Sequence, residues 1–158
     1  MLEPKPIKGA KALLFERLVD ENPSTPGEAQ PFRIYGVAAL RESVQRELAR
    51  LLNTRSPVLG GMVDERDRTV IDYGIPDFSH VGPASTTDLQ HLAQVLERTI
   101  AAYEPRLQQV RITLEPATNS QSVVRGVIAG NLIVGTVNEP IAFPLVLSLK
   151  TGEMILSP

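Results

Sequence analysis

Read from the amino terminus, apolar residues first recur at helical spacing between Lys8 and Val19, where charged positions separate Ala10, Leu13, Leu14 and Leu18. Such spacing predicts a short amphipathic helix. The stretch DENPSTPGEAQP that follows, Asp20 to Pro31, is rich in proline and small polar residues and reads as a linker. The helix is then either an arm or an element packed back on the core, because a periodic face does not say where it lands. This divides the chain into an N-terminal helical arm with its linker, residues 1–31, and a main domain, residues 32–158.

A stronger helical pattern runs from Ala39 to Asn53, with Leu40, Val44, Leu48, Leu51 and Leu52 on one face. Glu42 four residues before Arg46 adds modest surface support. Arg41, Arg46 and Arg50 could form a basic stripe for an acidic partner, although such charges are more often a solvated helix face. Thr54 to Phe78 reads as loop, with Pro57, the Gly60-Gly61 pair and alternating charges from Asp64 to Arg68. The next helix is the best marked. Ser85 can cap it, Asp88 lies in its first turn, and Leu89, Leu92, Leu96, Ile100 and Tyr103 share a face. Pro105 disfavours helical geometry at Glu104, so the helix ends there.

The period then changes from helical to alternating. In QVRITLEP, Val110, Ile112 and Leu114 alternate with Gln109, Arg111 and Thr113, the pattern of a half-buried strand. An apolar run from Val123 to Val137, the segment Ile141 to Leu149, a turn at Lys150 to Glu153 and a final MILS complete an antiparallel meander. Gly130-Asn131 is an alternative hairpin signal inside the long run.

Length and composition bound the chemistry. The 158 residues suffice for one substantial core, and a formal net charge of −2 provides no whole-protein field for nucleic acid or an anionic membrane. Without cysteine there is no disulfide framework, thiolate zinc site or cysteine nucleophile, which fits a reducing cytoplasm. Lys8, Lys11, Glu16 and Arg17 interrupt any signal-peptide core, and Arg125 and Asn131 interrupt the most apolar later run, so neither secretion by that route nor membrane insertion is expected. His80 and His91 have no ligand partner at metal-site spacing, and no phosphate loop, dinucleotide fingerprint or nucleophile elbow occurs, so no metal, cofactor or catalytic residue is expected. Asp64, Glu65, Asp67, Asp72 and Asp77 are the places to look for a glycosidase carboxylate pair, but five acids in a polar loop are a weak signal.

The joint between helix and strand, YEPRLQQVRI, places Glu104, Pro105 and Arg106 side by side. In extended backbone Glu104 and Arg106 point the same way. An exposed, idle pair contributes about 0 to 1 kcal/mol, whereas removing one member of a buried pair costs about 3 to 5 kcal/mol. The tripeptide alone is compatible with a mere helix stop.

Taken together, LLFERL, ESVQRELARLLNTR, VIDYGIPDF, YEPRLQQVRI and FPLVLSLKTGEM occur in an order that resembles the type VI secretion baseplate subunits of the TssE, or gene-25-like, family. The resemblance spans nearly the whole chain. It implies an α+β fold, helices packed on an antiparallel meander, and a structural role as a baseplate wedge subunit on which the contractile sheath begins to polymerise. The family's Glu-Pro-Arg motif falls on Glu104, Pro105 and Arg106, and implies that these residues grip the helical bundle of neighbouring wedge subunits (TssF, TssG, TssK). Sheath subunits (TssB, TssC) are expected to engage by strand exchange around Ile141 to Leu156, with the central spike hub as a further candidate contact. The implied location is the cytoplasm, at a baseplate docked on the inner membrane.

The chain departs from that pattern in SQSVVRGVIAGNLIVGTV, which lacks charged alternation, and at Pro144, which cannot donate to a ladder and predicts an edge or a bulge. Two alternatives accompany this reading: a lysozyme-like peptidoglycan hydrolase, and a wedge subunit of a phage-tail-like extracellular injection particle.

Overall fold

The structure, a computed structural model, describes residues 10–18, 24, 34–57, 68–118, 120, 122–135 and 137–157. Two long helices, α2 (Val37–Asn53) and α3 (Thr86–Tyr103), pack on one face of a four-stranded antiparallel sheet of β3 (Leu107–Pro116), β4 (Val123–Val134), β5 (Val137–Ser148) and β6 (Met154–Leu156), in the order β3-β4-β5-β6. This is the α+β meander expected. A separate ribbon pairs β1 (Ala10–Lys11) with β2 (Ile34–Tyr35), and β1 is followed by a short helix, α1 (Leu14–Leu18).

The core follows from periodicity. Leu40, Val44, Leu48, Leu51 and Leu52 bury one stripe of α2, while Leu89, Leu92, Leu96 and Ile100 bury one stripe of α3. Both meet the inward side chains of the sheet, among them Leu107, Ile128, Phe143 and Leu145. Truncating a fully buried leucine such as Leu48 would cost about 2 to 5 kcal/mol. Local signals set the ends of α3. Ser85 Oγ accepts the Asp88 N–H at 3.2 Å, and Asp88 in turn accepts the Gly82 N–H. At the other end Glu104 leaves helical geometry at φ −124°, ψ 75°, one residue before Pro105.

Three expectations are corrected. The periodic run Lys8 to Val19 is not one helix: Ala10-Lys11 pair as strand and α1 spans only Leu14–Leu18. Leu14 and Leu18 are 58% and 69% exposed, and the buried residue is Ala12. Tertiary contacts decide here, because so short a helix has no stability of its own. Of the two placements left open for this segment, the described residues lie against α2, where Glu16 bonds to Ser43 and Arg46. The linker Asp20 to Pro31, apart from Ser24, lies outside the described residues.

The second correction is only to the start of β3, which lies at Leu107 rather than Gln109; the expected alternation of Val110, Ile112 and Leu114 holds beyond a bulge between Gln108 and Arg111, where Gln109 takes φ 53°. The extra residue lets Leu107 and Val110, three positions apart, both face the core. Third, the long apolar run is divided after Val134, where Gly135 takes φ 58°, rather than at Gly130-Asn131, which stays within β4 opposite Ile141 and Pro140. Gly126 serves close strand approach instead, since an added Cβ would collide with the Thr113 carbonyl of the neighbouring strand.

Pro144 marks the point where β5 changes from interior strand to edge. Leu145, Val146 and Leu147 pair with β6, and beyond them Ser157 N–H still donates to Pro144 O at 2.9 Å. Pro144 has no N–H to return, so the ladder stops there. From Asn138 to Pro144, β5 is an edge.

Candidate docking site

The joint places Glu104 and Arg106 together, but facing each other. Arg106 Nε donates to Glu104 Oε1 at 2.7 Å and Nη2 to Oε2 at 2.6 Å, a bidentate pair in which the Arg106 and Glu104 side chains are 13% and 4% exposed. Glu104 also ends α3, where its N–H donates to Ile100 O. Pro105 between them is exposed. The shared direction of alternate residues therefore produces an internal, nearly buried fork at the joint.

The pair continues as a relay towards the N-terminal segment. Arg106 Nη1 donates to Ser43 Oγ at 2.9 Å, and Ser43 Oγ donates to Glu16 Oε2 at 3.2 Å. Glu16 closes the chain by accepting from Arg46 Nη2 at 2.6 Å and from the Leu13 N–H at 3.2 Å. Burial pushes the Glu16 carboxyl up, but the hydrogen bonds from Arg46, Ser43 and Leu13 outweigh it and hold the group below its ordinary value. Its bond to Glu16 raises Arg46 in turn.

Beside the fork lies a groove of about 150 Å³. Leu13, Leu51, Tyr73, Tyr103 and Pro105 form its apolar lining, and Glu47, Glu104 and Arg106 line it as well. Tyr73 and Tyr103 meet edge-to-face at 5.3 Å between centroids, and Tyr103 hydroxyl donates to Thr69 O. Burial, reinforced by Glu47, raises the Tyr73 phenol above its ordinary value. The groove thus draws one residue from the N-terminal segment, Leu51 from α2, Tyr73 from the YGIPDF loop and most of the rest from the α3–β3 joint.

The sheet edges near the C-terminus are covered. Asn53, the last residue of α2, uses its side-chain amide as a strand would: Oδ1 accepts the Met154 N–H at 2.9 Å and Nδ2 donates to Met154 O at 2.8 Å. Gln45 Nε2 donates to Leu156 O, and Arg41 Nη2 donates to Ala142 O on the unpaired part of β5. Alternation along β5 puts Pro140 on the same outward side as Pro144, so both lack a donor where a new strand would add. On β3, Glu97 Oε1 accepts the outward Ile112 N–H at 2.7 Å.

Other sequence candidates have structural employment. Arg41, Arg46 and Arg50 engage Ala142 O, Glu16 and Glu47, so the stripe is spent within the chain. Asp72 is buried, in a reciprocal cap with Thr69 of the 3₁₀ turn Val70–Asp72. Hydrogen bonds from Ser79 lower exposed Asp77. Asp64, Glu65 and Asp67 lie outside the described residues. Among the described residues no three His, Cys, Asp or Glu side chains converge, and no helix is long and apolar enough to cross a membrane.

Sequence reasoning missed Ser43, Glu16, Gln45 and Asn53. Only Ser43 had a local signal: it is a polar residue on the buried stripe of α2, between Leu40 and Val44. Such a residue needs a partner.

Comparison with known proteins gives a family and a structural likeness. The family model described as baseplate wedge protein gp25 matches residues 38–136, more than half of the chain and inclusive of nearly all of α2, all of α3 and the joint. A chain from a solved structure, the baseplate complex from the type VI secretion system, is 21% identical. That likeness covers 70% of this chain and 98% of the other, at a TM-score of 0.48. No curated protein matches.

Proposed function

The chain belongs to the baseplate wedge protein gp25 family, and from that premise we propose that it is a structural wedge subunit of a type VI secretion baseplate. It docks onto neighbouring wedge subunits through Glu104, Pro105 and Arg106, and offers the platform from which the contractile sheath polymerises. The observation that carries the docking reading is the fork itself. A nearly buried bidentate Arg–carboxylate pair fixes the joint beneath an exposed proline and beside an apolar groove, so that the surface there is presented without rotamer loss. The partners are the wedge subunits TssF, TssG and TssK, with the spike hub at the centre of the ring and the assembly on the cytoplasmic side of the inner membrane.

Sheath subunits TssB and TssC engage the terminal meander by displacing structure rather than by adding to a free edge. Three residue pairs join β6 to β5, and Asn53 and Gln45 hold its outer side. Each net hydrogen bond adds about 0.5 to 1.5 kcal/mol, a barrier that a longer incoming strand can offset. Repetition round a ring multiplies weak contacts through effective concentration.

The role is structural rather than hydrolytic. Both Glu104 oxygens accept from Arg106, so no carboxyl at the joint is presented to a glycosidic bond. A zymogram in which the purified chain clears peptidoglycan, and Glu104→Gln does not, would reverse that conclusion.

The docking test is co-expression with TssF, TssG and TssK followed by affinity capture. The wild type is expected to retain them. The double substitution Glu104→Leu with Arg106→Leu, whose folding is checked by circular dichroism, is expected to lose them, because replacing both members of a buried pair leaves no stranded charge. Undiminished capture by the folded double variant would sink the docking role.

A further inference from the structure

We propose that the groove beside the fork is an anchor pocket for one aromatic side chain of the protein partner, and that Leu13 of the N-terminal segment is one of its walls. The proposal rests on the docking reading and specifies the chemistry of what docks.

Size comes first. A volume of about 150 Å³ is that of an apolar cavity that holds a benzene ring. One phenyl group fills it. Charge points the same way. The acids that line the groove are both paired, Glu104 with Arg106 and Glu47 with Arg50 at 2.7 Å. An entering charge would lose its water and meet counter-charges that are already paired, whereas an uncharged ring loses nothing. The lining also favours a ring, since Tyr73 and Tyr103 already stand edge-to-face and a third ring extends that arrangement.

The surroundings suit an anchor. The 3₁₀ turn beside Tyr103, tied by the Tyr103 hydroxyl to Thr69 O, exposes Val70 and Ile71 at 89% and 72%, and α1 exposes Leu14 next to Leu13. A buried aromatic anchor ringed by weaker apolar contacts is the usual anatomy of an interface hot spot.

Leu13 reaches the groove from the N-terminal segment between β1 and α1. Its own N–H donates to Glu16 Oε2, and Glu16 is fixed by Ser43 and Arg46. Ser43 also accepts from Arg106. The relay therefore ties the wall of the pocket to the fork, so that the two are set together.

The decisive variant is Leu13→Trp, which fills the pocket from within and leaves Glu104, Pro105 and Arg106 in place. Capture of the wedge neighbours by this variant is expected to fall about tenfold or more. If the variant folds and captures them as the wild type does, while the Glu104→Leu, Arg106→Leu double variant fails to, the anchor pocket is wrong and the docking site stands. If neither variant loses them, both readings fall. A second measurement covers misfolding of Leu13→Trp: benzyl alcohol titrated into the wild-type chain should shift the Leu13 and Leu51 methyl and Tyr73 ring resonances saturably. Shifts that do not saturate, or that spread evenly over the surface, overturn the proposal.

Discussion

The α3–β3 joint and the β5–β6 end of the sheet are both finished by side chains of α2, but in opposite ways. At the β6 end, Asn53 and Gln45 satisfy strand groups directly, and the edge is closed. At the joint, Ser43 supports an Arg–Glu fork from beneath, and an apolar groove stays open beside it. The difference teaches that an ion pair beside an open groove can be fully satisfied within the chain, and that an edge strand need not be available because it is terminal. One surface is rigid and open. The other is complete until something displaces it.

The largest expected effect breaks the first region. Glu104→Ala strands the Arg106 guanidinium in a nearly buried position, and should cost about 3 to 5 kcal/mol in denaturant unfolding. The Glu104→Leu, Arg106→Leu double variant should cost far less. A single variant as stable as the double one would show that the fork is not a buried unit.

Next, Asn53→Ala removes the strand mimic from Met154 and leaves backbone groups of β6 without their partner. About 1 to 3 kcal/mol should be lost. Amide exchange at Met154 should accelerate more than at the Leu145–Leu147 ladder, and equal acceleration would mean that β6 is held by β5 alone.

A smaller effect separates the relay from the fork. The folded Glu16 carboxyl lies below its ordinary 4.5, so its contribution is fully present above that pH. It is lost as pH falls from 4.5 through the folded value. Proteolysis within residues 10–18 should therefore quicken on acidification below 4.5, ahead of global unfolding, and Glu16→Gln should quicken it already at neutral pH. Cleavage that follows only global unfolding would contradict a separately held segment.

The smallest effect on stability comes from Pro144→Val. Restoring an N–H on the outward side of β5 should change unfolding by about 1 kcal/mol or less, yet raise self-association in sedimentation at high concentration. A variant that stays monomeric would show that Arg41 and the side chains alone protect that edge.

Much of this architecture is legible in the sequence because its causes are local. Ser85, Asp88 and Pro105 delimit α3 through their own backbone geometry, and the leucine stripes of α2 and α3 place the core. Gly130-Asn131 misleads about where the long apolar run divides, because a hairpin dipeptide is only a propensity and pairing of both flanks with β5 overrides it. The N-terminal segment is readable as amphipathic and unreadable as to its face. Its burial at Ala12 and its bond through Glu16 depend on where α2 lies.

The sequence by itself determined the family, the order of helices and meander, and the adjacency of Glu104, Pro105 and Arg106, because these are properties of neighbouring residues and of motifs in sequence order. Only the tertiary structure decided that Glu104 and Arg106 face each other, that Ser43 and Glu16 extend them, and that Asn53 stands in for a strand 101 residues away. Those choices turn on directional hydrogen bonds a few ångströms long between distant parts of the chain. A sequence pattern reports which face a residue is on; it carries no distance to what lies opposite.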